Sequence, residues 1–418
     1  MPPSDGIGRR GSAWLRPASY LAIAAVAFLA GVAWRDPGAS RAAAGRTSPT
    51  RQKTRRGAGS LPPSPAAARK APEPSVESPA TLPGEFEPQS AVLLACQELL
   101  VDHGHVFRDI VAALHPHVPV VCLLAQPDQQ LLATALLEQV GVPAQSVRFL
   151  RVGHDTQWIR DYGPMFLRGG NAKPMLLDSD YTPGGEGQDI RWRDDKVPVL
   201  LGEALGLPVR AVPLRVGSGM LLTNGRGLCV TTTRLLHEND DRGFDAARIE
   251  SLLRKHLGCT TWLCLPPLVG EETGHADVFL TFLAPDLAVV AECDPAADPA
   301  NSALLDRAAL RLAGQVTPLG PLRVERISTP PRANGIWRSY TNVLLGNGVL
   351  LVPTFTDVDP ALQDRALDTY AALLPGRKIV AVNADSLVAT QGLLHCISLN
   401  VPAFVPLPPR AETRPLSP

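Results

Sequence analysis

The chain lacks the two close pairs of ligands that a structural zinc site needs: of its seven cysteines, at positions 96, 122, 229, 259, 264, 293 and 396, only Cys259 and Cys264 stand close together, with four residues between them. A structural zinc site is therefore not expected. Cys122, Cys229, Cys264 and Cys293 fall in apolar, strand-like runs and read as small core residues. Net charge is also lacking: 40 Lys and Arg balance 40 Asp and Glu. The balance hides an asymmetry. Residues 1–80 hold 12 basic and 4 acidic side chains, and the remainder holds 28 and 36. A globular region with that excess of acid is a poor partner for nucleic acid and suits a cationic ligand. A long apolar span is missing from the N-terminus too. The run from Tyr20 to Trp34 has fifteen residues, short of the roughly 20 that cross a bilayer as a helix.

That run follows Arg9, Arg10 and Arg16, and Ala42-Ala43-Ala44 offers small residues for cleavage. Residues 1–34 read as a signal peptide or uncleaved membrane anchor with its positive flank inside, which places the folded region outside the cytoplasm. An odd cysteine count in an exported protein leaves at least one thiol free or paired between chains, and Cys396 is the one expected to be free. Residues 35–84 are rich in Pro, Ala, Ser and Arg without hydrophobic period, the mark of a disordered linker. Residues 85–408 form the catalytic domain, and 409–418 a flexible tail. With 45% hydrophobic residues the chain can build a sizeable core.

A single pattern recurs within the folded region: strand, tight turn, strand, helix, strand. Val278–Ala284 turns at Pro285-Asp286 into Leu287–Glu292, followed by a helix near 300–313 and the strand Leu322–Ile327. Tyr340–Leu345, Val349–Val352, a helix near 360–373 and Lys378–Val382 repeat it. Met220–Thr223 with Leu228–Thr232, and Pro164–Leu167 with Met175–Leu177, open two earlier units. Their helices are expected near 245–257 and 197–206, and their last strands at Thr261–Leu265 and Val209–Pro213. A fifth unit is split: His395–Leu399 opens it, and Ala91–Ala95, a helix near 105–115 and Val118–Leu124 complete it. Five such units arranged in a ring, strands inward and helices outward, would bury a common core. The C-terminal strand would close the ring on the start of the domain.

Each unit's leading strand opens on a notable string: Asp161-Tyr162-Gly163-Pro164, Gly217-Ser218-Gly219-Met220, His275-Ala276-Asp277-Val278, Tyr340-Thr341-Asn342-Val343 and His395-Cys396-Ile397. A thiol, an acid/base, two carboxylates and, from Trp158, an aromatic face are the equipment for attacking the carbon of a guanidinium. Trp158-Ile159-Arg160-Asp161-Tyr162-Gly163-Pro164, Gly274-His275-Ala276-Asp277, Tyr340-Thr341-Asn342 and Gly392-Leu393-Leu394-His395-Cys396-Ile397 resemble the guanidino-group-modifying enzymes. The resemblance is to the branch of agmatine deiminases and Porphyromonas-type peptidyl-arginine deiminases, over about residues 85–408. It implies an α/β fold of the pentein type, a five-bladed propeller with pseudo-fivefold repeats, in agreement with the repeats above.

Cys396 is then the nucleophile, and a guanidinium bound beside it favours the thiolate. His275 is the acid/base that protonates departing ammonia and activates water. Asp277, two residues on, would share its face of a strand. With Asp161 it would grip a planar five-donor guanidinium from two sides. His395, on the opposite face from Cys396 if the segment is a strand, is a poor rival to His275. Trp158 would cover the guanidinium face. Asn342 would orient substrate or carboxylate, and Asp155 reads as structural. Arg191-Trp192-Arg193-Asp194-Asp195 resembles the paired-arginine segment that grips a C-terminal arginine's carboxylate, so Arg191 and Arg193 are candidate substrate contacts. Gly217-Ser218-Gly219 departs from the family's usual Gly-Gly-Asn or Gly-Gly-Ser.

The expected activity is hydrolysis of a terminal guanidinium, in peptidyl or C-terminal arginine, to a ureido group and ammonia through a covalent Cys396 thiouronium, with no metal or organic cofactor. Deimination of agmatine on the route to putrescine is the alternative. A cysteine peptidase or amidase, and an inactive surface-anchored binding module, are rivals of other classes. Two inward carboxylates oppose the peptidase, because they repel an acyl oxyanion.

Overall fold

The computed structural model describes residues 80–170, 173–181, 191–332 and 335–407. The expected targeting segment 1–34, nearly all of the linker and the 409–418 tail lie outside them. Among the described residues no helix is long and apolar enough to cross a membrane.

The architecture is α/β. Five sheets follow one plan in which the first two strands run antiparallel and the third is parallel to the second. Met165–Arg168, Pro174–Ser179 and Val209–Val212 make one. Leu222–Thr223, Leu228–Thr232 and Thr261–Leu265 make the next. Leu280–Ala284, Leu287–Glu292 and Arg323–Ser328 follow, then Leu344–Gly346, Val349–Thr354 and Lys378–Asn383. The fifth sheet joins the ends of the domain: Ser398–Pro402 runs antiparallel to Gln89–Ala95, which runs parallel to Val120–Leu124. It carries one strand more than the repeat predicts, Val147–Arg151. An unanticipated helix, Gln129–Glu138, precedes it.

The connecting helices have readable starts and stops. Asp245 caps Ala246–Leu257 by accepting the N–H of Arg248. Gly258 ends it at a φ of 71°, the left-handed conformation that a residue without Cβ takes at little cost. Asp298-Pro299 and Asp359-Pro360 pair a capping carboxylate with a proline in the first turn. Parallel strands need such crossovers, and the helices bury the outer sheet faces. Leu252, Leu253 and Leu257 thus pack with Met165, Leu177 and Cys229.

Two expectations change. Cys229 is not a free core thiol but is disulfide-bonded to Cys259. The linker's last described residues also belong to the fold. Ala80 is buried among Leu167, Leu177 and Leu253, and Thr81 exchanges backbone hydrogen bonds with Arg168 at 2.9 and 3.0 Å.

The disulfide closes a separation of 30 residues, so its loss is expected to cost about 2–4 kcal/mol. Urea unfolding of the full chain with and without reductant, and of Cys259→Ala, measures it. An unchanged midpoint would count against a stabilising role.

Candidate functional site: a half-buried thiol beside two carboxylates

The first wall of the site is a loop made rigid from outside. Buried Asp194 accepts the backbone N–H groups of Asp155 (2.6 Å) and Thr156 (3.2 Å) and the Thr156 hydroxyl (2.8 Å). Burial pushes its carboxyl up to about 6, against these donors. Arg193 Nε donates to Asp155 Oδ1 at 2.6 Å. The string 191–195 thus buckles the segment leading to Asp161, and Arg193 is committed to Asp155 rather than presented to a cavity. Arg191 lies nearer the site, hydrogen-bonded to the Tyr181 side chain. Asp161 itself stands in the short helix Ile159–Tyr162, not at a strand start.

His275 and Asp277 do not share a strand face. His275 is extended, and Ala276–Val278 turns as a single 3-10 turn. The preceding loop is tied by Glu271, which accepts from Thr273 N (3.0 Å) and Gly274 N (2.6 Å), and by the Thr232 hydroxyl on the Gly274 carbonyl. The turn still brings the expected groups together. His275 Nδ1 lies 3.5 Å from Asp161 Oδ1. Asp277 Oδ2 lies 3.9 Å from Cys396 Sγ. Asn342 Nδ2 donates to Cys396 Sγ at 3.4 Å, while Asn342 Oδ1 accepts the His395 N–H at 3.0 Å.

Gly219 is where the carboxylates converge. A Cβ there would sit 2.9 Å from Asp161 Oδ1 and 3.1 Å from Asp277 Oδ2. At Gly217 it would meet the Asp161 carbonyl at 2.7 Å. The Gly217-Ser218-Gly219 string thus supplies room rather than a side chain. The Oδ1 atoms of Asp161 and Asp277 are both buried without a hydrogen bond, an expensive condition that a bound cation would relieve. Burial raises the Asp161 carboxyl; His275 pulls it down, and Asp277 adds to the rise. Burial also pushes the Cys396 thiol well up, reinforced by Asp277 and Asp161. Without a positive guest the sulfur stays a thiol.

Two cavities meet this cluster. One, of about 240 Å³, is lined by Cys396, Asn342, Trp337, Glu271, Glu272 and Gln391. The other, of about 210 Å³, is lined by Asp161, His275, Tyr181, Thr273, Arg215 and Arg234. Gln391 holds a φ of 62°, a conformation strained for a residue with a side chain, beside Gly392 in the first cavity. Trp158, expected to cover the guanidinium face, stands behind the Cys396 cavity rather than in its lining. It packs half-buried between two core clusters with its ring against Gly392, and lines neither cavity. Trp337 is the cavity's tryptophan, with Nε1 donating to the Gly270 carbonyl at 3.1 Å.

His395 corrects the sequence reading most. The segment before Ser398 is a turn, so alternation across a strand does not apply. The ring is buried, with Nδ1 2.7 Å from Asp277 Oδ2 and Nε2 2.8 Å from Glu85 Oε2. Arg160 supports it from behind: its guanidinium bonds the Glu85 carboxylate, the His395 carbonyl (3.1 Å) and Asn400 Oδ1 (2.9 Å). Sequence reasoning misses Glu85, at the edge of the expected linker, and Arg160. The signal available for both is a charged residue inside an otherwise apolar or turn-like string.

Residues 81–402 match the Porphyromonas-type peptidyl-arginine deiminase family. The agmatine deiminase of Ectopseudomonas mendocina is 27% identical over 288 residues, 62% of this chain and 77% of its own length. An Enterococcus faecalis agmatine deiminase structure superposes with a TM-score of 0.66 at 22% identity, covering 77% of this chain and 96% of its own. A Campylobacter jejuni agmatine deiminase solved with substrate bound gives 0.66 at 18% identity, with the same coverages. At these identities the structures speak for the shared fold.

The raised thiol makes one expectation testable on the unliganded protein. Iodoacetamide should modify Cys396 at pH 7 more slowly than it modifies an unperturbed thiol, whose pKa is about 8.5. The rate should still be climbing at pH 9. Peptide mapping after timed quenching reads this, and rapid alkylation at pH 7 would contradict the neutral thiol.

Proposed function

The chain belongs to the Porphyromonas-type peptidyl-arginine deiminase family, and from that premise we propose that it hydrolyses a guanidinium to a ureido group and ammonia. The observation that carries the reading is the pair of buried Asp161 and Asp277 oxygens without hydrogen bonds beside a neutral Cys396 thiol. A guanidinium between the carboxylates would supply both missing donors and the positive charge that lowers the thiol. Substrate thereby switches on its own nucleophile.

With the guanidinium bound, the Cys396 thiol loses its proton to solvent, and the thiolate attacks the guanidinium carbon and forms a C–S bond. One C–N bond then breaks as ammonia leaves with a proton from His275. Water, deprotonated by His275, attacks the resulting thiouronium, and the C–S bond breaks to release the ureido product and the thiolate. Asn342, bonded to the sulfur, fixes its line of approach. The sheets are read as blades of the five-bladed α/β propeller, with this site at the common axis. The Cys229–Cys259 disulfide supports work in an oxidising compartment, in keeping with export.

Two ends are open to the substrate. A carboxylate-bearing end, as in peptidyl or C-terminal arginine, fits the cavity beside Tyr181, where Arg191, Arg215 and Arg234 gather. A cationic end, as in agmatine, is the second reading. It is favoured by Glu271 and Glu272 lining the Cys396 cavity and by the commitment of Arg193 to Asp155.

Ammonia release from agmatine, arginine and a peptide ending in arginine tests the reaction. Cys396→Ser should lose several orders of magnitude in rate with its melting temperature retained. Asp161→Asn should lose binding and rate together, about 1.5–3 kcal/mol per contact. A serine variant with more than about a tenth of wild-type activity would sink the nucleophile. Arg191→Ala should impair the peptide and spare agmatine if the carboxylate end is read; an equal fall in both assigns Arg191 to loop support.

A further inference from the structure

Gripping a guanidinium occupies one oxygen of Asp277 and leaves unexplained what holds the other. Asp277 Oδ2 is 2.7 Å from His395 Nδ1, and the opposite ring nitrogen is 2.8 Å from Glu85 Oε2. An ionised carboxylate only accepts hydrogen bonds. A ring satisfying carboxylates at both nitrogens must carry both protons. A neutral ring would set one lone pair against another in a buried place.

We propose that Glu85 and His395 are positioning residues for the reaction: Glu85 holds His395 as an imidazolium, and the imidazolium pins Asp277 Oδ2 and so fixes the orientation of that carboxylate beside Cys396. The proposal rests on the deiminase reading and adds to it a file of groups, Glu85–His395–Asp277, that ends at the segment preceding the first strand. Glu85 also lines a separate cavity of about 70 Å³ with Ser218, Thr281 and Asn400, which includes neither Cys396 nor His275. The file therefore runs from the reacting centre to a different cavity.

The charged and titratable groups facing His395 come from four places. Glu85 faces it from the N-terminal segment, and Arg160 and Asp161 from the short helix. Asp277 faces it from the 3-10 turn, and Cys396 adjoins it on its own segment. Burial and Arg160 disfavour the charged ring; Glu85 and Asp277 outweigh them and raise it above the ordinary histidine range. Burial works against Glu85 as well, but Arg160 and His395 pull it to about 2. The imidazolium, and with it the pinned Asp277, is therefore favoured over that of an ordinary histidine and is lost as pH rises through the raised value. Replacing Glu85 by a neutral isostere removes one raising cause, so the loss begins at lower pH.

The experiment is the pH profile of kcat/KM for ammonia release by full-length wild type and Glu85→Gln, with agmatine and a peptide ending in arginine. In the variant the alkaline limb should move to lower pH by about one unit. On the alkaline side of the wild-type limb activity should fall about tenfold, while activity on the acid side of the variant's limb is largely kept. A fall equal at every pH with an unmoved limb marks Glu85 as merely structural and overturns the proposal. If Glu85→Gln does not fold, the wild type still decides. In ¹⁵N-histidine spectra, the ring signals absent from His395→Asn should report two protonated nitrogens at pH 7, and a singly protonated ring overturns the relay. A wild type that releases no ammonia from any guanidinium fails the reaction reading instead. An active wild type with an unmoved limb fails the relay alone.

Discussion

Burying two carboxylates beside a thiol is the constraint around which the structure is organised. Negative charge held out of water costs several kcal/mol per group unless something positive answers it. Asp277 is answered on one side by His395, and Asp161 by His275 at 3.5 Å. Arg160 and Glu85 complete the neutralisation one layer further back. The Oδ1 atoms of both carboxylates remain without a hydrogen bond. The site is thus electrostatically incomplete as it stands, which is the ground for the cationic substrate proposed above. Gly217 and Gly219 bear no side chains where a Cβ would press on Asp161 and Asp277, and so keep the space beside the carboxylates open.

The periodic elements are legible in the sequence because their signals are local. The helix Pro360–Leu373 and the strand Thr261–Leu265 follow from capping aspartates, prolines and alternation of apolar residues. The pairing of Ser398–Pro402 with Gln89–Ala95 is legible from the repeat alone. The extra strand Val147–Arg151 is not, since it lies outside the repeating plan. At the site, the identities Cys396, Asn342, Asp161, Asp277 and His275 are readable as motifs and do converge. Their conformations are not. The sequence suggests strands for His275–Asp277 and His395–Cys396, whereas both are turns, and the orientation of His395 reverses as a result. Trp158 illustrates the same limit: an aromatic near a motif serves core or cavity according to a backbone bend that composition does not encode.

The string 191–195 is ambiguous for a different reason. Its arginines and aspartates suit a ligand clamp and an internal buckle equally well in sequence. The buckle needs Asp155 and Thr156 within reach, and only the tertiary structure supplies them. Composition likewise draws the linker boundary too late. Ala80–Gly84 look like the Pro- and Ala-rich residues before them, yet Ala80 is buried and Thr81 is paired.

Cys396 sits two residues before the strand Ser398–Pro402, and that strand's partner lies far back in the chain. Ser90 bonds the Val401 carbonyl across 311 positions. Contacts of such separation form last, after the entropy of the intervening loop has been overcome by earlier packing. A ribosome therefore delivers the carboxylates, Asn342 and His275 first, and the thiol only with the final stretch. Cys396 and His395 thus join Asp277 and Asn342 only when Ser398–Pro402 pairs with Gln89–Ala95.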